Sequence, residues 1–462
     1  MTGLDPHVLV RAASLYFAVM ATAAAVMWRR PTSRQMTGAL LAALWNLPVL
    51  LMVNLIAVRL GWWRFDASGG LLHGVPVDLL LAWMCLWGLA PAIAFPSLSL
   101  PIVCVLALGI DLAVMPAGEP VIQLGPRWVV GDIIAILTTL LPGQLLARWT
   151  ARDEHLVGRA LLQVGAFTGL VVFVLPAIAI EGSGGVWSNP FDRERWQLAL
   201  IVQLLAIPGV IGLSAVQEFV ARGGGTPLPF DPPRRLVATG LYAYVRNPMQ
   251  LSAVLLLGLL GVVLGNVWVS AAGVMAHLYS VGLAGWDEDD DLIARFGDDW
   301  KTYRSAVPKW RPRLRPWHRP DQPPARLFVA DACGMCSQVG QWFKRRGAAN
   351  LEIVPASSHP SRALTRIRYE AADGTGGASG VAAVARALEH IHVGWAFVGA
   401  LLRLPIVGEL VQLLVDASGG EPRPAPNSTR CVDVVAPRSR RFAADTSTHA
   451  AVSRGRRESR VA

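Results

Sequence analysis

Residues 249–284 read MQLSAVLLLGLLGVVLGNVWVSAAGVMAHLYSVGLA, 36 positions without an aspartate, glutamate, lysine or arginine. A helix needs about 20 apolar residues to cross ~30 Å of hydrocarbon, so the run is too long for one span. Gly265-Asn266 is its natural break, a glycine past one helix end followed by a residue suited to start the next. The run therefore predicts a helical hairpin, and a hairpin returns the chain to the face it left. The polar segments at its two ends, Arg234 to Met249 and Asp287 to Arg313, are thereby expected at one membrane border. Upstream, apolar runs of spanning length fall at about 8–28, 38–60, 77–95, 98–116, 128–147, 158–180 and 197–217. The fold class expected is mainly α: a polytopic helical membrane protein of about nine spans, carrying a smaller α/β domain at its C-terminal end.

Composition agrees. Of 462 residues 53% are apolar and 16% charged, against roughly 25% charged in soluble proteins. That excludes a disordered chain or a small disulfide scaffold and leaves too little polar surface for one soluble globule. The net charge of +10 does not indicate a nucleic-acid site, because residues 418–462 alone hold nine arginines against four acids. Residues 1–30 lack a short apolar core with a small-residue cleavage site, so the first run is read as a retained span. Loops containing Arg29, Arg30, Arg34, Arg148, Arg152, Arg159, Arg222, Arg234, Arg235 and Arg246 outweigh the alternate loops, which hold Arg59, Arg64, Arg127, Arg193 and Arg195. Such a bias places the N-terminus outside and the C-terminal part in the cytoplasm of a plasma (inner) membrane protein. This alternation requires the third and fourth runs, separated only at Pro96-Ser97, to be distinct spans.

After residue 285 the composition turns charged and proline-rich. Closely spaced Pro308, Pro312, Pro316, Pro320, Pro323 and Pro324 exclude a continuous helix. The organisation expected is a polytopic region 1–220, a core 221–313 containing the hairpin, a linker 314–325, an α/β domain 326–417, and a disordered basic tail 418–462.

Around the hairpin the chain reads Thr239-Gly240-Leu241-Tyr242-Ala243-Tyr244-Val245-Arg246-Asn247-Pro248-Met249 before it, and Asp287-Glu288-Asp289-Asp290-Asp291-Leu292, Phe296-Gly297, Trp300, Tyr303 and Val307-Pro308-Lys309-Trp310-Arg311-Pro312 after it. A cationic, aromatic, proline-ended segment meets an acidic helix start. Those residue types suit a charged cofactor beside an amphiphilic substrate: a carboxylate for hydroxyls or an ammonium, an arginine for a carboxylate, an aromatic wall near a cation. Singly, Arg246 reads as a snorkelling anchor and the acidic run as a favourably placed helix start; jointly they make a pattern. This block resembles the C-terminal signature of the isoprenylcysteine carboxyl methyltransferase and phospholipid methyltransferase superfamily. Gly240, Tyr242, Arg246, Asn247 and Pro248 match its first half, and Glu288, Asp289, Leu292, Phe296, Gly297, Trp300, Tyr303, Val307, Pro308 and Pro312 its second. The match covers about 80 residues and departs at Gln250, where an aromatic is usual, and at Asp289, which replaces a second glutamate. The resemblance implies S-adenosylmethionine held by Gly240, Tyr242, Asn247, Pro248, Glu288, Asp289, Leu292 and Tyr303, with Arg246 catalytic, and a lipid-borne or thiol-bearing acceptor entering from the bilayer. In-line methyl transfer needs alignment more than acid–base chemistry, and no covalent nucleophile stands out.

Cys333-Gly334-Met335-Cys336 follows a strand-like Leu327-Phe328-Val329 and precedes a helical pattern at 337–346, then a strand-like Leu351 to Val354 and a helical pattern at 380–391. A thiol at a helix start has a lowered pKa, so Cys333 and Cys336 read as a redox dithiol with a cytoplasmic thiol reductant as partner. Half of a zinc site looks the same, with His390 and His392 as the remaining candidates; no metal is expected. Residues 326–417 resemble the DCC family of thiol-disulfide oxidoreductase-like domains, which implies a thioredoxin-like fold. The family's acid, Asp331, stands here two residues before Cys333 rather than three. Within the spans Asn46, Asn54, Asp111 and Asp132 are costly in lipid and count as functional candidates, while Asp78 is expected to cap a helix after Pro76. A membrane-tethered oxidoreductase with an inactive methyltransferase-like anchor, and a lipid-binding scaffold, are the alternative readings.

Overall fold

The computed structural model describes residues 5–187, 192–228, 231–330, 334–361, 364–374, 376–420 and 422, excepting the side chains of 283–288 and 334–336. Cys333, Asp331 and the tail beyond 422 lie outside the described residues.

Among the described residues six helices are long and apolar enough to cross a membrane: α1 (Pro6–Arg29), α2 (Ser33–Leu60), α3 (Val77–Ala94), α5 (Trp128–Arg152), α6 (Leu156–Gly182) and α7 (Arg195–Gly223). The other three expected spans are helices of 15 to 17 residues: α4 (Leu100–Val114), α8 (Pro248–Leu264) and α9 (Val267–Val281). They fall short of the ~20 residues that a perpendicular crossing needs, because prolines and glycines end them early. Gly265, in the left-handed region, closes α8, and the Asn266 side chain accepts from the amides of Trp268 and Val269 to start α9. The hairpin packs through small residues: a Cβ on Gly261 would collide with Ser270, whose hydroxyl donates to the Gly258 carbonyl.

Three long helices contain a proline just after a widened turn, at Met84–Leu89 before Pro91, Ile136–Leu140 before Pro142 and Leu170–Val174 before Pro176. The wide turn re-satisfies backbone carbonyls that proline cannot serve. Asp78 is not the cap of α3. Pro76 occupies that position, and Asp78 sits in the first turn, where Arg11 of α1 donates to it at 2.7 Å.

The connections sort onto two faces. On one, β1 (Trp63–Phe65) after α2 pairs antiparallel with β4 (Ile122–Leu124) before α5. Beside it β2 (Leu71–Leu72) and β3 (Val75–Pro76) close a hairpin whose turn residues, His73 and Gly74, both have positive φ. On the other face, Asp153 pairs with Arg34, Arg159 and Arg234, and Asp231 with Arg34 and Arg159. Burial alone would raise the Asp153 carboxyl, but Arg34, Arg234 and Arg159 together hold it below the ordinary range. The α1–α2, α5–α6 and α7–α8 connections therefore share one face. Both strand-bearing connections lie together, as they do only if α3 and α4 are separate helices.

The α/β domain has a four-stranded sheet of order β6-β5-β7-β8, with β5 (Ala325–Val329) parallel to β6 (Leu351–Pro355) and antiparallel to β7 (Arg368–Glu370), which pairs antiparallel with β8 (Gly377–Ser379). Between β5 and β6 runs α11 (Gly334–Arg345), and after β8 come α12 (Val381–Leu388), α13 (Val393–Arg403) and α14 (Pro405–Val415). Leu327, Val329, Phe343, Tyr369, Ala383 and Leu388 make its core.

The proline-rich segment before this domain is not a free tether. Arg313 and Trp317 donate their amides to the carbonyls of Tyr244 and Ala243, and Val393 donates to Leu314. Residues 313–317 are thus a strap between the hairpin border and the domain.

Candidate functional site at the hairpin border

The segment before α8 is held from both sides. Gly240–Ala243 forms one tight helical turn. Arg246 donates its amide to Pro308, and the buried Tyr303 hydroxyl donates to the Tyr242 carbonyl at 2.8 Å. Burial raises the Tyr303 phenol far more than Arg246 lowers it, so Tyr303 remains a neutral donor.

After α9 comes α10 (Leu283–Ala306), sharply kinked at Gly297, whose φ of 55° and ψ of −126° suit only glycine. The kink folds the helix back on itself. Leu292, Trp300, Tyr303 and Val307 close into one apolar cluster, and Arg304 reaches Asp289 at 3.4 Å across fifteen residues.

At this fold-back the guanidinium of Arg246 lies 5.8 Å from the Trp300 ring centre, and its Nη1 lies 3.9 Å from Asp289. Among the described residues no acceptor reaches the buried Nε of Arg246 or the buried indole nitrogen of Trp300. Buried donors are nearly always satisfied, so two orphaned donors beside one half-exposed carboxylate suit a ligand bearing both an acceptor and a donor group. A carboxylate with a neighbouring hydroxyl or ammonium, the combination S-adenosylmethionine carries, fits that donor set.

Of the expected site residues, Arg246, Asp289, Leu292 and Tyr303 converge here. Asn247 and Pro248 cap α8 next to them, with the Asn247 amide donating to Gln250. Gln250, where an aromatic was usual, thus partners Asn247. Tyr242 contributes its backbone carbonyl to the fold-back and turns its ring onto Phe219, 6.3 Å between centres. Glu288 lies in α10, but its side chain is outside the described residues. Gly240 does not join the group. Its φ is 61°, and a Cβ there would press on Glu218 and Arg403, so it serves a second site.

That second site is a buried ion cluster joining α7 to the α/β domain. Glu218, fully buried, meets Arg386 and Arg403 at 2.7 Å each and Arg222 at 3.7 Å, and accepts from the Thr239 hydroxyl. Glu389 pairs with Arg403 at 2.7 Å and with Arg386 at 3.4 Å. Burial pushes the Glu389 carboxyl up despite both arginines. The Tyr244 hydroxyl donates to the Glu389 carbonyl, and Val210, Leu241, Tyr244, Ala396 and Ala400 form an apolar core alongside. A cleft next to this cluster opens between Thr239–Gly240 and His318, Tyr369 and His390 of the strap and domain. His390 bonds Tyr369 and the Ala349 carbonyl and stacks on His318 at 5.1 Å. Burial, with His318 adding to it, pushes His390 down to about 4.

Sequence reasoning missed this cluster. Its one signal is charge inside otherwise apolar helical stretches, at Glu218, Arg386 and Arg403.

For the cysteine pair, β5 ends at Val329 and α11 begins at Gly334. Cys333 lies outside the described residues, and of Cys336 only the helical backbone is described. Of the two histidines named for a zinc site, His390 uses both ring nitrogens, on Tyr369 and the Ala349 carbonyl, and the His392 Nδ1 accepts from the Gly394 amide. Among the described residues no cluster of three or more metal-ligating side chains occurs. No protein-family model, no curated protein and no solved structure matches the chain.

Proposed function

We propose that the chain is an integral membrane S-adenosylmethionine-dependent methyltransferase of about nine spans, with the appended domain a cytoplasmic thioredoxin-like dithiol module. The observation that carries the reading is the convergence of Arg246, Asp289 and Trp300, with its two orphaned donors, at the border of a helical hairpin. When bound, S-adenosylmethionine supplies an electrophilic methyl carbon. Arg246 and the Trp300 indole nitrogen would hold its carboxylate, and Asp289 would accept from its ammonium or a ribose hydroxyl. Tyr303, through Tyr242, fixes the loop that carries Arg246. The short helices α8 and α9 leave the site within reach of an amphiphilic acceptor from the bilayer, either lipid-borne or presenting a thiol or carboxylate.

Calorimetry on folded protein in nanodiscs is the test. Binding by the parent and its loss in Arg246→Ala, Asp289→Asn and Glu288→Ala supports the site. Absence of binding, or undiminished binding by the Arg246 variant, overturns it. The tethered-oxidoreductase alternative has one observation in its favour: the strand order β6-β5-β7-β8 with α11 starting between the two cysteines suits a thioredoxin-like dithiol. It predicts that function survives Arg246→Ala and fails with Cys333→Ser.

A further inference from the structure

The α/β domain carries an apolar surface that the fold does not cover. Ile406, Leu410, Leu413 and Leu414 of α14 are 56% to 75% exposed, and their spacing puts them on one face of the helix. The opposite face is fastened to the domain. Gln412 accepts from the Val381 amide and donates to Asp416, and Asp416 takes both guanidinium nitrogens of Arg366. The stripe is therefore held outward.

The direction of α14 is set by two further contacts. α13 packs along α7, with Ala396 and Ala400 against Val210 and the Arg403 carbonyl accepting from Gln217. α7 has 29 residues, about 44 Å at 1.5 Å each, and crosses the membrane; α13 lies beside its C-terminal half, with Arg403 nearest the inner end. At Leu404-Pro405 the chain then bends by 89°, which directs α14 across the line of α7, along the membrane plane. Taken together, α13 and α14 are as apolar as a membrane span.

We propose that α14 is an in-plane interfacial helix whose Ile406, Leu410, Leu413 and Leu414 are buried among lipid acyl chains on the side of the α/β domain. The occupant is lipid rather than the chain's own tail, since residues 418–462 carry nine arginines and four acids and offer no apolar stretch to cover the stripe. That charge instead suits anionic headgroups next to the helix. The proposal rests on the membrane architecture and is independent of methyl transfer.

The test places an environment-sensitive fluorescent amino acid at 410, 414 or, as control, 344 in the full chain, in nanodiscs of phosphatidylcholine and phosphatidylglycerol. Brominated lipid is expected to reduce emission at 410 and 414 about two-fold or more relative to 344, as for residues 5–10 Å into the interface, while iodide quenches 344 best. Equal iodide quenching at all three positions overturns the proposal. So does emission at 410 that resists both quenchers and varies with protein concentration, which would assign the stripe to a second copy. Unmodified protein in vesicles containing a diazirine-bearing phospholipid gives an answer without substitution: adducts are expected on the tryptic peptide 404–430, and their absence overturns the proposal.

Discussion

Replacing Glu218 with glutamine tests whether the α/β domain is part of the membrane core or an appendage. The substitution keeps the shape and a partner for Thr239 but leaves Arg386 and Arg403 facing Glu389 alone and takes from Arg222 one of its carboxylates, Asp373 remaining. Each lost ion contact amounts to about 4 kcal/mol at ~4 Å charge separation and an effective dielectric of ~20. Much of that is offset, because desolvating the carboxylate itself costs several kcal/mol, and breaking such a buried pair is typically worth 3–5 kcal/mol. The burial justifies that range: Glu218 is 0% exposed and the Arg403 side chain 6%. The strap supplies the assay, since the tryptic bonds after Lys309 and Arg313 lie among backbone bonds from Arg246 to Pro308, from Arg313 to Tyr244 and from Val393 to Leu314. If cleavage follows the open population, it should accelerate roughly 10²- to 10³-fold, tenfold for each ~1.4 kcal/mol. Lys301→Ala, which breaks an exposed pair with Asp298, should change it less than about threefold. Equal cleavage rates for Glu218→Gln and Lys301→Ala would refute the reasoning.

Other outcomes follow from the same geometry. Gly297→Ala should cost about 1–3 kcal/mol for the strained backbone and weaken S-adenosylmethionine binding, because the kink sets Asp289 opposite Arg246; thermal melting and calorimetry read the two effects. His390, depressed to about 4 when folded, takes up a proton near 6.5 when unfolded. Its contribution is therefore fully present above pH 6.5 and is lost as pH falls to about 4, by about 3 kcal/mol. His390→Gln should flatten that part of the stability–pH curve, measured by denaturant unfolding. Cys333→Ser with Cys336→Ser should leave membrane insertion intact and lower methyl transfer only under oxidising conditions; equal activity would separate the two chemistries.

Residue types and spacing determined the helical class, the hairpin turn at Gly265-Asn266 and the position of the α/β domain. These depend on local chain chemistry: apolar length against membrane thickness, and glycine, asparagine and proline at helix ends. The resemblance of the block around the hairpin to a methyltransferase signature also marked Arg246, Asp289 and Tyr303. It did not reveal that Gly297 folds α10 back to pair Asp289 with Arg304, nor that Trp300 faces Arg246, since a single left-handed backbone angle decides both. The span count depended on where helices end in three dimensions, and the fate of the proline-rich segment on backbone carbonyls at Ala243 and Tyr244 that no composition signals. The Glu218 cluster belongs wholly to the tertiary structure. Its charges come from positions 168 and 185 residues apart, and only burial of both elements makes a lone glutamate in an apolar helix the partner of two distant arginines.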